Sequence, residues 1–225
     1  MKEGRISVIV PTLNEAATIA PTLQRLREPE VLERIVVDAN SADETRTIAE
    51  DLADRVMVGP VGRAAQMNAG AAVARGDILF FLHADTLVPA GFAAAIVAAC
   101  ERAVGGRFDV ELDAEGFAFR LIERAINLRS RWSGLFTGDQ GLFVRRAVFE
   151  SIGGYPDQPL LEDLAFSQAL QRRGEVAALR ERVRTSARRW QRHGVARTVA
   201  IMWAIRALYA LGVPPPRLAR LYEGR

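Results

Sequence analysis

The sequence predicts an α/β protein, an open, doubly wound and mostly parallel sheet with a helical extension at its C-terminus. Three observations carry this. Short β-branched apolar runs alternate with helical patterns four times over residues 5–102, the order expected of parallel strands joined by crossover helices. The runs are nearly continuous rather than alternating, as strands covered on both faces require. Several of them end in polar residues, where open sheets of this kind bind ligands.

Residues 5–10 (RISVIV) form the first strand, stopped by Pro11. Ile19, Leu23 and Leu26 then recur at helical spacing, with Asn14 and Thr18 as candidate starters. Residues 35–38 (IVVD) are the second strand, and 43–53 a helix with acidic residues in its first turn. A third strand covers 55–58, an Ala-rich helix closed by Gly76 covers 63–75, and DILFFL at 77–82 is a strongly apolar fourth strand. A helix over 89–102 follows, then a strand at 106–112. Residues 117–132 read as an amphipathic helix, with Phe117, Leu121, Ile122, Ala125 and Leu128 on one side and Arg120, Glu123, Arg124 and Arg131 on the other. A strand at 140–144, a helix at 161–173 and a short strand at 176–179 complete the sheet.

Composition narrows the classes. At 225 residues, 49% hydrophobic and 25% charged, the chain is long and apolar enough to bury a full core, which excludes disorder and coiled coil. Its single cysteine, Cys100, forms no intramolecular disulfide and reads as a small buried hydrophobe in an Ala-rich helix. No secretory leader precedes the first strand, so a cytoplasmic protein is expected. Charge is uneven. Residues 171–225 hold 13 Arg against three Glu, a net of +10, leaving −7 for residues 1–170 of a chain whose total is +3. Such a tail suits an anionic partner such as phosphate groups or an acidic membrane surface. Its aromatic interleaving is too thin for a nucleic-acid binder.

Within that tail, residues 199–213 are apolar apart from Arg206 and span about 22 Å as a helix, short of a bilayer crossing. The segment either packs on the main domain or uses Trp203 and Tyr209 to seat in a membrane interface, peripheral on the inner face of the plasma membrane. Pro214, Pro215 and Pro216 end it.

The polar residues at strand ends are the candidate chemistry. Asp38 closes the second strand, where an ionised carboxylate is cheap only beside a cleft; Asp43 is a helix cap or a ligand group. Neither a G-x-G-x-x-G nor a G-x-x-x-x-G-K-[ST] is present, which excludes a dinucleotide dehydrogenase and a P-loop enzyme. His83 and Asp85, two residues apart on an extended segment, could share a cation, with Mn²⁺ favoured over Mg²⁺ by the imidazole and His193 a further candidate ligand. Glu162 and Asp163 open a helix, either as dipole partners or with one of them a general base. Asp139 and Gln140 lie in a Gly-flanked loop suited to close approach of a ligand.

The segments S7VIVPTLNE15, V37DANSADET45, N68AG and G76DILFFLHADT86 occur in the order and spacing of a known family. The chain resembles a family 2 inverting glycosyltransferase of the GT-A fold over residues 5–165, extended to about 190 by Glu162-Asp163 and Arg189-Trp190. The HADT run and G62RAAQMNAG70 are similar to the small bacterial subgroup of carotenoid-acid (diaponeurosporenoate-type) glycosyltransferases. The resemblance implies a GT-A domain over residues 1–190 with the extension at 191–225. It implies a nucleotide-sugar donor, UDP-linked, a Mn²⁺ or Mg²⁺ ion, and inversion at the anomeric carbon. Pro11, Asn14, Glu15, Asp38 and Asp43 would then lie at the nucleoside, and Asp85 and His83 at the metal or ribose-phosphate. Arg63 and Asn68 would serve the donor, Arg189 and Trp190 the pyrophosphate, and Asp139 and Gln140 the acceptor, with Asp163 the catalytic base beside Glu162. Three positions depart from the pattern. His83 replaces the first Asp of D-x-D, Ser186 replaces the Gln of Q-x-x-R-W, against processive polymerisation, and Met67 replaces the Arg of A-R-N-x-G, whose contact Arg63 could take over. The basic tail and apolar helix make a lipid or other apolar alcohol or acid the expected acceptor. The alternatives are a sugar nucleotidyltransferase, for which the P11TLNE15 loop lacks the Gly, Arg and Lys, and a non-catalytic nucleotide-sugar or lipid-binding protein.

Overall fold

The structure, a computed structural model, describes residues 4–223. Among them one eight-stranded sheet forms the centre, built from β1 (Ile6–Thr12), β2 (Val31–Asp38), β3 (Arg55–Val58), β4 (Ile78–Phe81), β5 (Thr86–Leu87), β6 (Gly105–Asp113), β7 (Leu142–Arg145) and β8 (Val176–Ser186). Their order across the sheet is β3-β2-β1-β4-β7-β6-β8-β5. β3, β2, β1 and β4 run parallel, and β6 runs parallel to β8; β7 is antiparallel to both its neighbours and β5 to β8. The chain leaves β1 toward β2 and returns to β4 on the other side. The switch point, and with it the expected ligand crevice, therefore lies at the carboxyl ends of β1 and β4.

Helices α1 (Ile19–Arg25), α2 (Thr45–Leu52) and α4 (Phe92–Cys100) cover one face of the sheet, and α3 (Arg63–Val73), α6 (Arg146–Ile152) and α7 (Glu162–Gln171) the other. Each face has its own apolar layer, one centred on Val8, Phe80 and Phe92, the other on Ile9, Phe81 and Phe166. Alternate residues of β1 and β4 feed opposite layers, so the uninterrupted apolar runs are accounted for. Cys100 is buried in the first layer, as expected.

Gly76 has a different job from the helix stop read in the sequence. A Cβ there would lie 2.5 Å from the Ser7 nitrogen, so it permits close backbone approach between the α3–β4 turn and β1. Its N–H donates to the Ser7 hydroxyl (2.8 Å), which donates to Glu33 Oε1 (2.7 Å). The Arg75 N–H and guanidinium complete the pairing of this buried carboxylate. Burial pushes Glu33 up, but these donors outweigh it and hold it below its ordinary 4.5. Its contribution to stability is therefore present above the ordinary value and lost as pH falls through the lower folded one. Glu33→Gln is expected to cost about 1–2 kcal/mol near neutrality, from lost hydrogen bonds rather than from the largely exposed Arg75 charge. Urea titrations at pH 7 and pH 3 check this, since the gap between wild type and variant should narrow in acid.

Several elements differ from expectation. β8 is much longer than residues 176–179: its LRERVRTS stretch carries too many charges to read as strand, yet a strand with β6 on one flank and only two-residue β5 on the other is nearly an edge, where charges are at home. Asp43 lies outside α2, which starts at Thr45. The three prolines do not simply end the apolar helix. That helix, α9 (Val195–Ala210), stops at Ala210, and Pro215 opens α10 (Pro215–Glu223), where its missing N–H costs nothing. Helix α8 (Arg188–His193) precedes them. The segment read as an extension packs on the rest through Val195, Val199 and Met202, which meet Leu112, Ile122 and Trp190.

The largest reversal concerns α5 (Phe117–Ser133). Of the apolar side, Phe117, Leu121, Ala125 and Leu128 face outward and only Ile122 is buried, together with Glu123 and Ser130 from outside that set. The sheet supplies the reason. β7 pairs with β6 only at residues 105–107, leaving the next stretch of β6 without a strand on that flank. α5 fills the place with polar side chains: Asn127 donates to the Val110 carbonyl (2.9 Å) and accepts from its N–H (2.8 Å), and Glu123 accepts from the Leu112 N–H (2.8 Å). An uncovered strand edge needs hydrogen-bond partners more than apolar cover.

Candidate functional site

A cavity of about 520 Å³ opens at the switch point, within the range of small-molecule sites. The end of β1 and the loop after it contribute Pro11, Thr12, Leu13 and Glu15, the start of α3 contributes Arg63 and Gln66, and the β4–β5 turn contributes His83 and Asp85. Thr137 to Asp139 and Leu160 to Asp163 form the opposite wall. Arg189, Trp190, Met202, Arg206 and Tyr222 close it, so the C-terminal helices are part of the site.

Asp163 reaches the cavity from the first turn of α7. Its Oδ2 accepts the Gly138 N–H (2.8 Å) and its Oδ1 the Leu164 N–H (2.7 Å). Burial and the Asp139 charge push its pKa up, more than those two donors pull it down. Burial and the neighbouring Asp163 also raise Glu162. Leu161, just before them, holds a left-handed φ of 63°, a conformation that costs a leucine energy and persists only where surrounding packing imposes it. Asp139 Oδ1 is buried with no partner among the described residues.

The loop carrying Asp139 rests on His83: a Cβ at Gly138 would lie 2.7 Å from His83 Nε2. Burial and the Arg63 charge push the His83 pKa down to about 4, against Asp85 and Asp139, so the imidazole is neutral near pH 7. One oxygen of Asp85 is engaged. The Arg188 guanidinium donates to Asp85 Oδ2 (3.0 Å) and to both oxygens of Glu15 (3.1 and 2.8 Å), bridging the ends of β1 and β4. The side chain of His193 lies outside the described residues. Among the described residues no three His, Cys, Asp or Glu side chains converge on a metal position. With one of the three expected ligands held by a guanidinium and the side chain of another outside the described residues, the residues as arranged do not fit a divalent cation.

Of the other expected site residues, Pro11, Glu15, Arg63, Asp85, Asp139, Glu162, Asp163, Arg189 and Trp190 share the cavity with His83. Five are placed elsewhere, which corrects their expected contacts. Asp38 is buried and accepts from the Thr12 hydroxyl and the Ser41 hydroxyl and N–H. Asn14, at φ 55°, accepts the Ala42 N–H, and Asp43 accepts from Thr45 and the Ala16 N–H. These three tie the loops after β1 and β2 together instead of lining the cavity. Asn68 clasps the backbone of Tyr155 in both directions at 2.9 Å, pinning α3 to the segment that leads to Leu161. Gln140 is fully buried, its amide donating to Ser130 Oγ (3.1 Å). In each case a polar side chain expected to face ligand has the chain's own backbone and hydroxyls as its partners.

Arg188, Arg206 and Tyr222 were missed. The Arg189 guanidinium stacks over Tyr222 at 3.7 Å. Nothing in the sequence pairs residue 188 with residue 15, or 189 with 222; the adjacent arginines before Trp190 were the only available signal.

The family model described as Glycosyl transferase family 2 matches residues 7–153. The probable glycosyltransferase YdaM of Bacillus subtilis is 28% identical over 196 residues, 72% of this chain and 46% of that protein, so the chain spans about half the length of this curated relative. Among solved structures, the mannosyltransferase PcManGT of Pyrobaculum calidifontis, in complex with GDP-Man and Mn²⁺, superposes with a TM-score of 0.63 at 23% identity, covering 82% of this chain and 57% of that one. Staphylococcus aureus TarS 1-349 with UDP-GlcNAc gives 0.64 at 18%, covering 81% and 58%. Glucosyl-3-phosphoglycerate synthase of Mycobacterium tuberculosis with Mn²⁺, UDP and phosphoglyceric acid gives 0.60 at 22%, covering 80% and 69%. These likenesses show the GT-A fold.

Proposed function

The chain belongs to glycosyl transferase family 2, and from that membership we propose that it transfers a sugar from a nucleotide-sugar donor, UDP-linked, to an apolar alcohol or acid, by a single inverting displacement. The observation that carries the reading is Asp163, a half-buried carboxylate of raised pKa held by the Gly138 N–H inside the switch-point cavity.

The donor's nucleoside lies along Pro11, Thr12 and Glu15, with its diphosphate toward Arg63, Arg188 and Arg189. As the bond from the anomeric carbon to the diphosphate oxygen breaks, negative charge grows on the leaving group, and fixed guanidiniums stabilise it without reorganising. The acceptor oxygen forms its bond to the anomeric carbon from the opposite face and gives its proton to Asp163. Base and leaving group on opposite faces of the ring give inversion, the geometry by which inverting hydrolases work. Burial that lifts Asp163 toward working pH improves it as a base. His83, neutral and packed on Gly138, positions the loop that holds Asp163.

Thermal unfolding with UDP-, GDP- and dTDP-sugars tests the donor. A ligand at 100 times its Kd stabilises the folded state by about 2.7 kcal/mol. The expected result is a shift with UDP-sugars; a flat response across the panel sinks the transferase reading and leaves a protein without donor.

A further inference from the structure

We propose that the outward face of α5, joined to Trp203 of α9, is a docking face for an anionic bilayer surface. The inference rests on the transferase reading only for its purpose, which is to bring an apolar acceptor to the cavity. On α5 the side chains of Phe117 (82% exposed), Leu121, Leu128 (71%) and Trp132 (95%) stand free in solvent. Their spacings of four, seven and four residues put them on one stripe of the helix, about 22 Å long. The inner side of α5 is spent on β6, so this stripe has no role in the core. Contiguous exposed apolar side chains of this size mark an interaction surface.

Three features favour a bilayer as the occupant. Aromatic residues lie at both ends of the stripe, and a third, Trp203 (62% exposed), lies on α9 just across a groove from α5. Large rings of this kind seat at the headgroup level. Charge is complementary: Arg124 is exposed beside the stripe, and Arg192 and Arg197 are exposed on α8 and α9, within the segment of net charge +10. Among the described residues no helix is long and apolar enough to cross a membrane, so attachment through this face would be to the surface. The groove between α5 and α9, about 80 Å³, is lined by Ile122, Ile126 and Val199 and shares Trp190, Met202 and Arg206 with the main cavity. An apolar chain entering from the bilayer would follow it to Asp163.

The test is co-sedimentation of the full chain with phosphatidylcholine vesicles, with and without phosphatidylglycerol, for wild type and Leu128→Ser/Trp132→Ser. Both replaced side chains are exposed, so folding should survive, and the thermal shift with UDP is read on the same samples. Wild type is expected to partition onto the phosphatidylglycerol vesicles, and the double variant about tenfold or more weakly, with its UDP shift unchanged. Equal partitioning of the two proteins, or no partitioning of wild type, overturns the proposal. So does a wild-type dimer in sedimentation velocity that the double substitution dissolves, since a second copy would then be the occupant. A wild type that binds vesicles but no nucleotide retains the docking face and fails the transferase reading; the reverse result separates them the other way.

Discussion

Asp163→Asn is expected to lower turnover by about 10²–10⁴-fold, the range for loss of a general base, while leaving UDP binding within a factor of two or so, since the substitution changes no group proposed to touch the nucleotide. The amide is nearly isosteric and its oxygen can still accept the Gly138 N–H, so the Gly138–Asp139 loop should stay where it is. What is lost is the ability to take a proton. The pH profile adds a second signature. A base must be ionised, so rate falls on the acid side as Asp163 protonates; burial and Asp139 place that limb above the ordinary carboxylate value of 3.8. Removing the charge at Asp139 with Asn should move the limb toward acid, because one of the two raising influences disappears. Turnover by Asp163→Asn equal to wild type would rule the residue out as base and point to Glu162 or Asp139.

Arg188→Ala should weaken UDP binding about tenfold or more and make it responsive to Mn²⁺. The guanidinium neutralises Glu15 and Asp85 at the ends of β1 and β4, where the donor diphosphate is proposed to lie. Two bare carboxylates facing a diphosphate a few ångströms away cost roughly 1–4 kcal/mol at surface-like dielectric. Half of the Arg188 side chain is exposed (53%), so the same ion pairs add under about 1 kcal/mol to folding. The variant should therefore be a binding defect in a stable protein. Freed of their guanidinium, Glu15 and Asp85 offer oxygen ligands of the kind Mn²⁺ accepts. Isothermal titration with UDP, with and without Mn²⁺, separates the outcomes. An affinity unchanged by the substitution and indifferent to the ion would remove Arg188 from the donor site.

How much of this was legible follows from the range of each interaction. Strands β1 to β4, their helices and the position of the crevice are written in local runs: RISVIV and DILFFL are too apolar to lie anywhere but inside a covered sheet. His83, Asp85, Glu162 and Asp163 were legible for the same reason, being polar residues placed directly at the ends of such elements. The structural roles of Asp38, Asn68 and Gln140 were not, because their partners lie up to 87 residues away in sequence and a polar side chain looks alike whether it meets ligand or backbone. The orientation of α5 was misread for a sharper reason. Helical periodicity says that two sides differ, not which side a particular neighbour needs, and the neighbour here is a strand edge that wants hydrogen bonds. Arg188 meets Glu15 across 173 residues and Asp85 across 103.

The sequence by itself determined the layers, the strand ends and the acids that stand on them, since apolar burial and backbone punctuation act over a few residues. Only the tertiary structure decided which cation faces those acids and which side of α5 meets solvent. Both depend on which distant segments the sheet order brings side by side.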